Sequence, residues 1–96
     1  MKVLAIVTLM PEAQFATVRA QLANEIKGSW ALYASGVLRE VYATEDPKKV
    51  VFMLEAAGAE AAKQILAPLP MIAAGLFKME FVELRPFVNW SILFAS

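Results

Sequence analysis

Three side chains able to do acid–base and anion chemistry stand close together in the stretch VLREVYA (37–43): Arg39, Glu40 and Tyr42. Strict strand alternation puts Val37, Arg39 and Val41 on one face and Leu38, Glu40 and Tyr42 on the other. One face therefore carries a guanidinium among valines, and the other a carboxylate beside a phenol. An unpaired Arg39 can hold a carboxylate through two parallel hydrogen bonds. Glu40 with Tyr42 can take and return a proton. The pairing register leaves open whether Arg39 shares a face with Glu55, in which case it is a structural ion pair. A second group is apolar. Trp30 and Tyr33 lie three apart near the end of a helical pattern; with Met53 from a strand they either fill the core or wall a pocket between helix and sheet. In the second case the Tyr33 hydroxyl is the pocket's polar handle.

What the chain lacks narrows the chemistry further. It has no His and no Cys, so the commonest metal ligand, the commonest general base and any thiolate nucleophile are missing. Gly28, Gly36, Gly58 and Gly75 are isolated and form no phosphate-cradling loop. The expectation is a protein that needs no metal and no organic cofactor. A base must then be a carboxylate, Tyr or Lys: Glu40 with Tyr42, or Glu25 on the preceding helix.

Nine basic and nine acidic residues cancel and neither sign clusters, which disfavours nucleic acid and an anionic membrane as partners. No uncharged run reaches the roughly 20 residues of a membrane span. The start MKVLAIVTLMPEA imitates a signal peptide, but its apolar run is only Val3–Met10 before Pro11 and Glu12. A core strand and a cytoplasmic location are the expectations. With 96 residues the chain is one domain, 1–96, whose residues 86–96 form an apolar tail. Its 59% hydrophobic content and mean hydropathy of +0.56 exceed what a small core needs. The surplus points to a face buried against a second copy.

The elements that must position these residues follow from spacing. Val3–Met10 reads as a buried strand. Phe15, Val18, Leu22, Ile26, Trp30 and Tyr33 recur at helical spacing, which predicts a helix over about 12–34 with this stripe against the sheet and Gly36 as its left-handed cap. Gly28 inside it permits a bend or a close approach. Segments 37–43 and 50–56 form a hairpin around TEDPKK, with Pro47 in the turn. GAEAAKQILA is a short helix with Ile65 and Leu66 inward and Glu60 and Lys63 outward. Pro68 ends it, and Pro70 rejects its continuation into an apolar loop. FKMEFVEL (77–84) is the last strand, with Phe77, Met79 and Phe81 on one face and Lys78, Glu80 and Val82 on the other. The order β-α-β-β-α-β is the ferredoxin-like arrangement, an α+β fold with two helices on one face of a four-stranded antiparallel sheet. It leaves the other sheet face and the tail uncovered.

The strings SWALYASGVLREVYATEDPKKVVFMLEA and ILAPLPMIAAGLFKMEFVELRPF resemble the muconolactone isomerase-like branch of the dimeric α+β barrel superfamily. Trp30, Tyr33, Gly36, Arg39, Leu69-Pro70, Phe81 and Pro86 carry that resemblance, over nearly the whole chain. It implies two sheets facing each other in a homodimer or a higher homo-oligomer, and a small-molecule ligand. It also implies a cofactor-free proton-shift isomerase acting on a small anionic lactone, with Arg39 stabilising enolate charge. The methyl-shifting relatives rely on His and Cys, so their activity is excluded. Two alternatives stand beside it: a non-catalytic binder or oligomeric structural protein, and a cofactor-free monooxygenase of aromatic polyketides.

Overall fold

The apolar run near the N-terminus becomes strand β1 (Lys2–Leu9), an inner strand of the sheet, in a computed structural model that describes residues 1–45 and 49–95. The following elements are helix α1 (Phe15–Ala34), strands β2 (Leu38–Ala43) and β3 (Lys49–Glu55), helix α2 (Ala59–Leu66), the one-turn helix α3 (Pro70–Ala73) and strand β4 (Phe77–Leu84). The four strands are antiparallel in the order β2-β3-β1-β4, which is the ferredoxin-like sheet. Residues 46–48 of the TEDPKK turn, Pro47 among them, lie outside the described residues.

Register assigns the faces. Val3 pairs with Leu54, Ala5 with Phe52 and Phe81, and Val7 with Met79. Val3, Ala5, Val7, Phe52 and Leu54 are buried, and with Leu38, Ala62, Leu66 and Leu69 they make the core. Leu4, Ile6, Val51, Met53 and Val82 alternate onto the opposite face, where they are half-buried or exposed. Helix α2 packs on β4 and β1 through buried Ala62 and Leu66, with Glu60 and Lys63 outward as their spacing predicts. Each fully buried side chain of this size contributes about 1.5–3 kcal/mol. The Glu83 carboxylate accepts the Ala59 N–H at 2.9 Å, supplying from β4 the acceptor that the helix start lacks locally.

Helix α1 departs from expectation in two ways. It begins at Phe15 rather than near 12, because Pro11 sits in a turn closed by the Ala13 N–H on the Met10 carbonyl at 3.1 Å. Its apolar stripe also meets the sheet only across open space, Leu22 and Ile26 at a cavity over Val7 and Phe52 and Trp30 and Tyr33 at a cleft beside β2. Phe15, Trp30 and Ile26 are 77%, 66% and 58% exposed, and no α1 residue is fully buried. The less exposed positions are Val18, Gln21, Glu25, Gly28, Ser29 and Leu32, which after Val18 run about one residue out of phase with the stripe. The helix packs on α3 and β2, and that contact selects the narrow, partly polar side. Gly28 lets Leu69 approach closely: a Cβ there would lie 2.7 Å from Leu69 Cδ2, and that side chain would have to shift.

The chargeless segment after α2 is not an open loop. Pro70 stands at the first helical position of α3, where a missing N–H costs nothing. The Gly75 N–H bonds Ile72 and the Leu76 N–H bonds Met71, with Gly75 at φ 73°. This is a Schellman ending, and Gly36 closes α1 with a left-handed φ of 86° as expected. The Met10 N–H then ties the Leu76 carbonyl to the end of β1 at 2.8 Å. The tail, by contrast, winds as a 3-10 helix over Val88–Phe94 with every side chain exposed, Phe94 at 85%.

Candidate active site

The site begins at an irregularity in β2. Leu38 pairs with Leu54, but Glu40 rather than Arg39 pairs with Met53, so Arg39 is the extra residue of a bulge. Strict alternation therefore fails here. Leu38 and Val41 lie on the core side, while Glu40 and Tyr42 share the opposite face with Met53 and Val51. The bulge gives Arg39 its own direction. Arg39 is exposed and makes no ion pair among the described residues; the Glu55 carboxylate lies instead 3.7 Å from the N-terminal amine.

Between this edge and α1 runs an open cleft of about 500 Å³, walled by Trp30, Tyr33, Arg39, Glu40 and Tyr42 with Ser29 and Ile26 at its inner margin. The fold thus gathers five of the six residues singled out from sequence. Met53 is the exception, since register carries it to the uncovered sheet face. Trp30 and Tyr33 stack with ring centroids 5.5 Å apart, forming a cleft wall instead of core packing. The Tyr42 hydroxyl donates to Glu40 Oε1 at 2.7 Å. That bond, with the carboxylate's charge, raises the Tyr42 pKa. Tyr42 is held as a hydrogen-bond donor, and Glu40 has one lone pair already occupied.

A smaller cavity of about 220 Å³ lies deeper, between α1 and the core face of the sheet. Its walls include Val7, Val50, Phe52, Met71 and Phe77, and among them stands the carboxylate of Glu25. Desolvation raises the Glu25 pKa, and the Met71 N–H, donating to Oε1 at 2.8 Å, partly offsets that rise. Glu25 is therefore a carboxylate in an apolar cavity with one oxygen fixed by α3. This is the arrangement that makes a carboxylate a stronger base than it is in water. Glu25 was visible in the sequence as an alternative base, but the stripe reading gave no reason to turn it inward. Among the described residues, no three carboxylates gather where they could hold a metal ion. No helix among them is long and apolar enough to cross a membrane.

No protein-family model matches the sequence, and no curated protein matches it. Solved structures do. The fold is similar to that of muconolactone isomerase, with a TM-score of 0.72, 18% identity and 90% of each chain covered. It is also similar to the 5-chloro-2-hydroxyhydroquinone dehydrochlorinase of Burkholderia phenoliruptrix AC1100, solved in complex with 2,5-dihydroxybenzoquinone. There the TM-score is 0.66 and the identity 14%, over 93% of this chain and 98% of that one. The chain has the muconolactone isomerase-like fold.

Proposed function

We propose that the protein is a cofactor-free proton-shift isomerase of a small anionic lactone, with Glu25 as its base. The observation that carries this reading is a carboxylate of raised pKa inside an apolar cavity beneath α1. Glu25 takes a proton from the carbon beside the lactone carbonyl. The C–H electron pair forms a carbon–carbon double bond as the carbonyl π pair moves onto oxygen, giving a conjugated dienolate, and the same carboxyl returns the proton at the far carbon as the carbonyl re-forms. Bonds and charge balance with one base used twice. Arg39, free of any ion pair among the described residues, holds the substrate's carboxylate at the cleft. The Tyr42 hydroxyl, its proton already engaged by Glu40, can there only accept a hydrogen bond. The two structural neighbours support small-molecule chemistry by their names, one an isomerase of a lactone and the other a dehydrochlorinase of a substituted hydroquinone.

A non-catalytic binder would use the same cavity, with the Glu25–Met71 bond as a purely structural tie. Proton NMR in D2O separates the two. Incubation with a small anionic enol-lactone should erase the signal beside the carbonyl and build up the shifted isomer. Binding without exchange or isomer would establish the binder.

We further propose that two copies join through the uncovered sheet faces, closing a barrel around Leu4, Ile6, Val51 and Met53. Phe87, Trp90, Leu93 and Phe94 then pack at a subunit contact. Their exposures, 62–85% in the single chain, would otherwise leave several kcal/mol of burial unused, at about 1.5–3 kcal/mol for each large side chain. Truncation after Arg85 should lower the mass seen by light scattering or cause aggregation. An unchanged mass and melting point would remove the tail from the interface.

A further inference from the structure

The 220 Å³ cavity shares walls with two openings rather than one. Ile26, Ser29 and Val41 belong both to it and to the Arg39 cleft. Val50, Met71 and Phe77 belong both to it and to a second hollow of about 500 Å³ beyond β2 and β3, which Leu9, Ala43, Thr44, Glu45 and Lys49 complete. The two openings share no residue with each other. The cavity therefore lies between them, under α1 and along the core face of the sheet. Polar groups are confined to the two ends and to Glu25 and Ser29 in the middle; Ser29 already donates to the Ile26 carbonyl at 2.9 Å. Strand alternation adds a consistent detail: Val41 and Ala43 face the same side, as do Val50 and Phe52. They make one floor running from one opening to the other.

We propose that the three hollows form one passage for an elongated amphipathic carboxylate, its anionic end at Arg39 and an apolar chain running past Glu25 toward Ala43 and Phe77. The assignment deepens the reading above and rests on it in one respect, that the reacting carbon sits opposite Glu25. It adds the substrate class: the molecule carries an apolar arm longer than the central cavity alone holds. Arg39 recognises the charge, and the Val50, Met71 and Phe77 walls recognise the chain. An extended apolar ligand suits a site whose middle offers a single base and almost no other hydrogen-bonding group.

The test is a chain-length series measured as binding, so that it needs no turnover. Straight-chain carboxylates from butyrate to dodecanoate are titrated calorimetrically into the full-length protein and into Ala43→Trp, with Ala43→Phe as the milder blocking variant. Ala43 is exposed and lines the far opening, so a larger side chain there blocks the end of the passage and leaves the Arg39 end untouched. Affinity should climb about fourfold per added methylene, at roughly 0.8 kcal/mol per buried CH2, until the chain fills the far opening, and then level off. The blocking variants should bring the plateau several carbons earlier and leave short chains unaffected. Arg39→Met should weaken every member by the same factor without changing the slope. A flat series in the unmodified protein, or a slope that ignores both Ala43 variants, would overturn the passage. Proton exchange is scored separately in the NMR experiment: an intact length series without exchange supports the passage while sinking the isomerase, and exchange with a flat series does the reverse.

Discussion

Helices α1 and α2 lie over the same sheet face and have opposite characters. Helix α2 is apolar inside and charged outside, with Ala62 and Leu66 fully buried over β1 and β4. Helix α1 turns Glu25, Gly28 and Gln21 toward the molecule and carries Phe15, Leu22, Ile26 and Trp30 at 45–77% exposure. A helix whose only task is covering a sheet is built like α2. One that keeps a carboxylate over a cavity and leaves its large side chains exposed is built as the roof of the proposed site would be. The difference separates stability from chemistry along the chain, and it can be attacked from both sides.

The largest effect should fall on α2. Leu66→Ala removes a side chain with no solvent exposure and should cost about 2–5 kcal/mol in denaturant unfolding. Trp30→Ala on α1 should cost far less in the single chain, and comparable losses for both would erase the contrast. Next comes Glu25→Gln. Its amide oxygen can still accept the Met71 N–H, so the melting temperature should hold or rise. Removing a general base should lower isomerase turnover roughly 100-fold or more. Arg39→Met should weaken an anionic ligand about tenfold, the value of a hydrogen-bonded charge, with no loss of ligand-free stability because Arg39 has no ion pair among the described residues. A drop in melting temperature would make Arg39 a structural partner.

The smallest effect is a slope with pH. The folded state binds the Glu25 proton more tightly than the unfolded chain does, since burial raises its pKa. Stability contributed by this group is therefore greatest below the ordinary carboxylate value and declines as pH rises toward the raised one. Glu25→Gln should flatten that part of the stability profile.

Much of the fold could be read from the sequence because local signals agreed. Alternation in FKMEFVEL puts Phe77, Met79 and Phe81 on one face, and that face packs against the core. Gly36 marked the end of α1, and GAEAAKQILA its own inner face. The errors arose where tertiary contact overrode pattern. The strong stripe of α1 pointed its most hydrophobic residues at the sheet, yet packing on α3 and β2, through Gly28 against Leu69, chose the adjacent face. The bulge at Arg39 has no local marker such as a glycine, so strict alternation over 37–43 does not reveal it. Arg39, Glu40, Tyr42, Trp30 and Tyr33 nevertheless meet in one cleft, because β2 follows α1 after a short connection and returns alongside it. Met53 departs from expectation by face alone, register putting it on the uncovered side of the sheet. Glu25 could be named from its chemistry, but its inward direction depends on the phase of α1, which only the packing sets.

The most direct test of Glu25 as the base is the pH dependence of proton exchange beside the carbonyl of a small anionic enol-lactone, followed by NMR in the parent protein and in Glu25→Gln. The parent rate should rise with pH as one carboxyl loses its proton, and level off at a midpoint above the ordinary carboxylate range. The variant should show no such rise at any pH. A variant that exchanges as fast as the parent, with the same profile, would contradict the assignment and return Glu25 to the role of a structural tie to Met71.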